Sequence, residues 1–281
     1  MNRNMGKFST SAIYALLILG VLIVGFPLLY AITGSFKSTV EFLTGGSNLL
    51  PKKWIWENYT TAWKIAKFDI YTYNSIAYSL LSVFGTIITT SLGGYVLSRS
   101  NIPGKKILLG CFGMTLFISG AMTLFPIFKI CRDLNLINSL WGLIIAEIGI
   151  SQPFFCLIVM SYINGISKEI DESAKIDGCN FFRIFTDIIL PIIKPIIATV
   201  FILGFRRAWN DYMMPLAFTL SKPDLRPLTV GVVMMKDQGE GISAWNLMIA
   251  GTVISLVPIL VVYLFMNRYF ITGITEGSVK G

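Results

Sequence analysis

ESAKIDGCNFFRIFTDIILPIIKP, residues 172–195, sets Glu172, Lys175, Asp177, Arg183 and Asp187 around a single glycine in a chain that is otherwise mostly apolar. Hydrophobic residues make up 54% of the 281 and charged residues 14%, against roughly 25% charged in an ordinary soluble domain. The mean hydropathy is +0.70. This is the composition of an integral membrane protein, and its length is best counted in apolar spans of about 20 residues. The quoted stretch must then be a water-facing segment between two of them.

Six spans fit: residues 12–35, 74–98, 107–127, 139–163, 188–208 and 245–267. Each is long enough to cross an apolar layer of about 30 Å as a helix, which satisfies its backbone polar groups internally. The expected fold is an all-α bundle. Arg3 and Lys7 precede the first span as they would in a signal peptide. Its apolar run exceeds the usual 7 to 15 or so residues and no small-x-small cleavage site closes it, so it reads as a retained helix. The chain divides into an N-terminal tail, first helix and outer loop (1–73), a core (74–267) and a C-terminal tail (268–281). Orientation rests on short flanking segments, where RSNIPGKK (99–106) outweighs the basic residues of the long loops and puts the N-terminus inside.

Several function classes are disfavoured. The net charge of +8 is spread over every loop without clustered stacking aromatics, so it does not point to nucleic acid. Histidine is absent, which removes the usual general base and the commonest metal ligand. Cys111, Cys131, Cys156 and Cys179 form no CxxC and no metal-ligand cluster, and read as free thiols. There is no GxSxG, and PGKK (103–106) lacks the upstream glycine and the hydroxyl residue of a phosphate loop. No catalytic residue and no metal site is expected.

Within the water-facing segment, Ser167 suits an N-cap, and Glu169, Asp171 and Glu172 fall in the first turns, where the helix dipole favours negative charge. A short helix to about Asp177 then has Ile166, Ile170 and Ala174 on one apolar stripe, with Glu169, Glu172 and Lys175 facing water or a partner. Gly178 breaks it in a conformation that other residues avoid. Asn180 caps a second helix whose Phe181, Phe182, Phe185 and Ile188 are expected to pack toward the membrane, and Pro191 and Pro195 mark the entry to the fifth span. On this pattern alone the segment could be an ordinary amphipathic connector at the interface.

Glu172-Ser173-Ala174, then Asp177-Gly178, then Ile188, Leu190 and Pro191 resemble the EAA motif of permease subunits in binding-protein-dependent ABC importers. WNDYMMPL (209–216), PLTVG (227–231) and the tail YFITGITEGSVKG (269–281) extend the resemblance and look like the carbohydrate-uptake, maltose-type branch. Ser173, Cys179 and Ser278 depart from the usual residues, all small for small. The resemblance implies a type I ABC importer transmembrane domain: six transmembrane helices and, within loop 164–187, a cytoplasmic coupling helix that docks on an ATPase. Glu172, Ser173, Ala174, Asp177 and Gly178 would be the ATPase-coupling residues. The implied partners are a second permease subunit, two cytoplasmic ATPase subunits, an extracytoplasmic solute-binding protein and membrane lipid. ATP and magnesium would be bound by the ATPase partner, and this chain would carry no cofactor. The implied location is the bacterial cell membrane, multi-pass, with both termini cytoplasmic, and the implied cargo is a sugar or oligosaccharide. An importer of the same architecture for glycerol phosphate or a peptide, or a stand-alone membrane enzyme or channel, remains the alternative.

The substrate pathway is harder to read. Glu147 falls in the outer half of the fourth span, where an unpaired carboxylate costs about 2.5 to 3.5 kcal/mol. Ser151 lies one turn on along the same face. Pro153 removes a backbone bond there, and a kink could open Gln152 to water. Glu147, Ser151 and Gln152 are therefore candidates for lining the pathway, with interhelical bonding to a partner subunit as the competing role for Glu147. Arg206 and Arg207 suit snorkelling to headgroups or contact with a binding protein or acidic ligand. Trp141, Trp209 and Trp245 fit an aromatic belt better than sugar stacking. The stretch PKKWIWENYTTAW (51–63) is a surface cap or a docking face.

Overall fold

The computed structural model describes residues 3–44, 48–65, 67–235 and 244–278, with 3–9, 11 and 266–278 described by backbone alone. In chain order the helices are α1 (Arg3–Gly34), α2 (Thr39–Thr44), α3 (Glu57–Ile65), α4 (Phe68–Arg99), α5 (Lys105–Thr115), α6 (Gly120–Asp133) and α7 (Leu140–Asn164). They continue as α8 (Glu169–Ile176), α9 (Phe181–Ile192), α10 (Lys194–Asn210), α11 (Met213–Phe218), α12 (Leu228–Met234) and α13 (Trp245–Ser278). No strand occurs among the described residues. The tail 269–281 extends α13 as far as Ser278, and 279–281 lie outside the described residues.

Among the described residues four helices are each long and apolar enough to cross a membrane: Ala12–Gly34, Phe68–Arg99, Leu140–Asn164 and Trp245–Phe265. Two bent pairs complete six if each pair is one span. The expected third span, 107–127, is broken: α5 and α6 meet at 113°. Leu116, Phe117 and Ile118 donate to Gly113, Met114 and Thr115, a tightening to i→i−3 bonds that ends α5 before Ser119 turns extended. An apolar run signals no such break, because its hydropathy is the same on either side. The expected fifth span, 188–208, begins earlier and bends by 75° at Ile193. Pro195 cannot donate to the carbonyl of Pro191, and Pro191 is itself preceded by a π-helical stretch, Ile184–Ile189, closed by the Leu190 amide donating to the Phe185 carbonyl. α7, by contrast, continues through Pro153 without a break, and Gln152 beside it is half-buried.

The chain forms two compact units, Met1–Phe68 with Gly231–Leu256 and Asp69–Val230 with Val257–Gly281. In the first, the 51–63 stretch folds back on its own chain. Phe36 is buried with Trp54, Trp56 and Tyr59 around it, ring centroids 4.9, 4.7 and 5.2 Å away. Asn58 Nδ2 donates to the carbonyls of Ser35 (2.7 Å) and Lys37 (2.8 Å), and the Lys37 ammonium donates to the Asn48 carbonyl. Asn246 donates to Asn58 Oδ1 (3.2 Å). The aromatic residues therefore cap a buried polar knot, although Trp54 and Trp56 keep exposed outer faces.

In the second unit, Phe155, Val159 and Ile163 form an i, i+4, i+8 stripe on α7 that packs with Ala174 of α8, Ile184 and Ile189 of α9 and Ile196 of α10. α4 approaches α7 closely. A methyl group at Gly94 would meet Val159 Cγ1 at 2.8 Å and the Met160 backbone nitrogen at 3.0 Å. The buried face of α4 carries Ser75, Ser79, Ser82, Thr86 and Thr90, small residues that let helices pack in an apolar layer; Ser75 Oγ accepts from the Leu228 amide and Thr90 Oγ1 donates to the Thr86 carbonyl, while the Ser79 and Ser82 hydroxyls have no partner among the described residues. This packing fixes α4 as the rail along which both candidate sites lie.

Candidate functional site

Two polar clusters stand at separate points on α4. The first surrounds α8. Tyr95 Oη donates to Asp171 Oδ1 (2.9 Å), and Arg99 Nε pairs with Asp171 Oδ2 (3.0 Å). A terminal nitrogen of Arg99 also donates to the Ile166 carbonyl (3.0 Å), and Ser98 Oγ donates to Asn164 Oδ1 (2.7 Å). The Arg99 and Asp171 side chains are each only 7% exposed. Burying two charges is tolerable only when the pairing is close and the remaining polar atoms are also met, and here both carboxylate oxygens are.

Asp171 stands in the first turn of α8, where the sequence puts it, and its side chain points inward with Ala174, beside the half-buried Ile166 and Ile170, a burial that first-turn position does not signal. Lys168, not Ser167, occupies the cap position of α8, though Ser167 Oγ still accepts from the Glu169 amide (3.3 Å). Gly178 has φ +82°, and the amides of Gly178 and Cys179 donate to the carbonyls of Lys175 and Ala174, a Schellman closure that requires the left-handed residue. Asn180 accepts from the Arg183 amide (2.8 Å) and starts α9. Phe185 is buried in the unit core, against expectation, whereas Phe182 and Phe181 are exposed, Phe181 with one face against Tyr95 (4.7 Å).

The opposite face of α8 is bare. Glu169, Glu172, Ser173, Lys175 and Asp177 are exposed, and Ile176, one turn beyond Glu172, is 86% exposed. Of the candidate coupling residues, Ala174 alone is buried, Glu172, Ser173 and Asp177 share the water face, and Gly178 forms the bend.

The second cluster lies about 25 Å away along α4, seventeen residues at 1.5 Å each. Glu147 Oε1 accepts from Arg207 Nε (2.9 Å) and from Ser151 Oγ (3.1 Å). Tyr78 Oη donates to Asp211 Oδ2 (3.1 Å). Glu147 is therefore bonded between helices, to Arg207 of its own chain, through Nε of an arginine whose side chain is 44% exposed. Arg206 remains exposed. Gln152 donates to Thr89 Oγ1 (2.7 Å) and to the Ile148 carbonyl (3.0 Å), which ties α7 to α4. Trp209 corrects the aromatic-belt expectation: it is 3% exposed and stacked on Phe205 at 5.5 Å, while Trp141 is exposed. Its carbonyl accepts from Thr229 of the PLTVG stretch, whose Leu228 amide donates to Ser75 (2.7 Å each).

This cluster borders two cavities. A cleft of about 740 Å3 is walled mainly by apolar residues of α6 and α7, among them Ile127, Ile130, Ile145 and Phe154, and reaches Arg207. A smaller one of about 310 Å3 has Glu147, Arg207 and Asp211 in its wall. Neither Ser151 nor Gln152 borders either cavity. Just beyond α10, burial pushes the Asp211 carboxyl above its usual range, against the lowering pull of the Tyr78 hydrogen bond, the Met214 amide and Arg207.

Residues 85–274 match the model of the family described as "Binding-protein-dependent transport system inner membrane component". The chain is 32% identical to the probable ABC transporter permease protein YurM of Bacillus subtilis, over 96% of this chain and 89% of that one. It is 28% identical to the diacetylchitobiose uptake system permease protein NgcG of Streptomyces coelicolor, over 95% and 88%. Its fold is similar to a chain in the crystal structure of a bacterial ABC transporter involved in import of the acidic polysaccharide alginate, with a TM-score of 0.80 at 24% identity, covering 96% of this chain and 99% of that one.

Proposed function

The chain belongs to the family of binding-protein-dependent transport system inner membrane components, and from that premise we propose that it is the permease subunit of an ABC importer for a sugar or oligosaccharide. It works with a second permease, two ATPase subunits that bind ATP and magnesium, and an extracytoplasmic binding protein. Both termini and α8 lie on the cytoplasmic side. The observation that carries the reading is the two-faced α8: one face is locked to α4 through Asp171, and the other presents Glu172, Ser173 and an uncovered Ile176. A helix so anchored carries a displacement into α4, where a loose loop would absorb it. The relative named for diacetylchitobiose uptake supports a carbohydrate cargo. The fold neighbour is named for an acidic polysaccharide, so the fold alone leaves the charge of the cargo open.

The test is ATP-driven uptake by the reconstituted complex. Glu172→Lys reverses the charge of the exposed face, and Gly178→Val forces a β-branched residue to φ +82° at about 1 to 3 kcal/mol of strain. A methyl group there meets nothing within 4 Å, so the cost is conformational and local to the bend. Both variants should insert normally and lose coupled uptake about tenfold or more. Wild-type uptake at equal membrane levels in both would remove α8 from the coupling role, and ATP hydrolysis by the isolated chain would place it in another class.

A further inference from the structure

The Glu147–Arg207 pair has a geometry that a purely structural bridge does not need. Both bonds to Glu147 fall on Oε1, and Oε2 takes none among the described residues. Arg207 offers only Nε to the carboxylate, and its side chain is 44% exposed against 5% for Glu147. The pair borders the cavity of about 310 Å3 whose wall also holds Thr123, Asp211, Met213 and Met214. That volume is at the lower end for small-ligand pockets, which are mostly apolar with a few convergent polar groups.

We propose that this cavity is a contact point for the transported solute within the chain, and that it favours neutral polyhydroxylated solutes over anionic ones. The proposal rests on the import reading above. Arg207 is neutralised by Glu147, and Asp211 makes the cavity neutral or negative, so an incoming carboxylate or sulfonate meets no uncompensated cation. A hydroxyl group is both donor and acceptor. It can donate to Glu147 Oε2 and accept from the terminal nitrogens of Arg207, so a sugar hydroxyl matches an ion pair that offers an anion no uncompensated positive charge. The two methionines supply soft, adaptable surface for the apolar faces of a ring. The larger apolar cleft shares Gly120, Thr123, Ile150 and Arg207 with this cavity, so the pair stands where the polar and apolar spaces adjoin.

The experiment uses the assembled permease–ATPase complex in nanodiscs without the binding protein, whose own selectivity would mask that of the cavity. Maltose, cellobiose and arabinobiose are the neutral probes and digalacturonate the anionic one. At least one neutral probe should raise the melting temperature, by about 2 to 4 °C at saturation, and digalacturonate should not. Glu147→Gln with Asp211→Asn should weaken neutral binding about tenfold and admit digalacturonate. Glu147→Gln with Arg207→Met, which removes the pair without stranding a charge, should abolish protection while the complex still co-purifies. Equal protection by digalacturonate and the neutral probes overturns the proposal. So does protection unchanged in both double variants, or failure of both to assemble, which would make the pair structural only. If no probe protects while ATP-driven uptake of a neutral probe with the binding protein persists, the cavity assignment falls and the import reading stands. If none of the neutral probes is taken up either, both fall.

Discussion

Tyr95, Arg99 and Asp171 at the α8 end of α4, and Tyr78, Arg207, Glu147 and Asp211 about 25 Å along it, use the same chemistry: a tyrosine of α4 donating to a carboxylate, with an arginine beside it. They differ in how they are closed. Arg99 and Asp171 are both 7% exposed and every carboxylate oxygen is bonded, whereas Arg207 is half open to a cavity and Glu147 keeps an oxygen free of bonds among the described residues. A sealed pair holds two elements together. A half-open pair holds its elements and still has bonding capacity for something that arrives. The same residue types therefore serve as a latch at one point and as a contact surface at the other, and accessibility separates the two roles.

The contrast predicts a large asymmetry when each arginine is removed. Arg99→Met strands a sealed carboxylate, at about 3 to 5 kcal/mol, and should lower the melting temperature of the purified complex more than any other single change at these clusters. Adding Asp171→Leu should recover most of that loss, because two well-packed apolar residues replace the pair, yet leave coupled uptake impaired. Arg207→Met should cost less, about 1 to 3 kcal/mol, since water entering the cavity can reach Glu147. Equal destabilisation by the two arginine variants, measured by thermal unfolding in the same detergent, would erase the distinction between latch and contact surface.

Smaller changes sharpen it. Tyr95→Phe removes a sealed bond to a charged acceptor and should cost about 1.5 to 3 kcal/mol, whereas Tyr78→Phe, whose acceptor Asp211 borders the cavity and can be met by water instead, should fall below that range. Asp211→Asn is expected to have the least effect, and its sign depends on pH. Burial raises the Asp211 carboxyl, so the folded chain holds this proton more tightly than the unfolded one. The ionised form then costs stability at neutral pH, and the cost is relieved as the pH falls through the raised pKa toward the unfolded-state value near 4. The asparagine variant can keep the Tyr78 bond. It should match or slightly exceed wild type in melting temperature at about pH 8 and lose that advantage by about pH 5.

Much of the coupling segment was legible because its signals are local. Gly178 between an amphipathic turn and Asn180 announced the left-handed bend and the second cap, and both are determined by residues within a few positions of one another. The spans on either side were legible as hydropathy. The breaks at 116–119 and Ile193 were not, because a bent apolar helix and a straight one have the same composition. Pro191 and Pro195 were the one available signal, and they marked the second break only.

By itself, then, the sequence determined an all-helical membrane chain, a water-facing helix closed by Gly178, and a buried carboxylate problem at Glu147. The tertiary structure alone decided how each charge was answered. Asp171 finds Arg99 from 72 residues away and Glu147 finds Arg207 from 60, and nothing in local spacing distinguishes those partners from any other arginine. The reason is physical: the energy of a charge in an apolar layer depends on what lies within a few ångströms of it in space, and helix packing sets that distance.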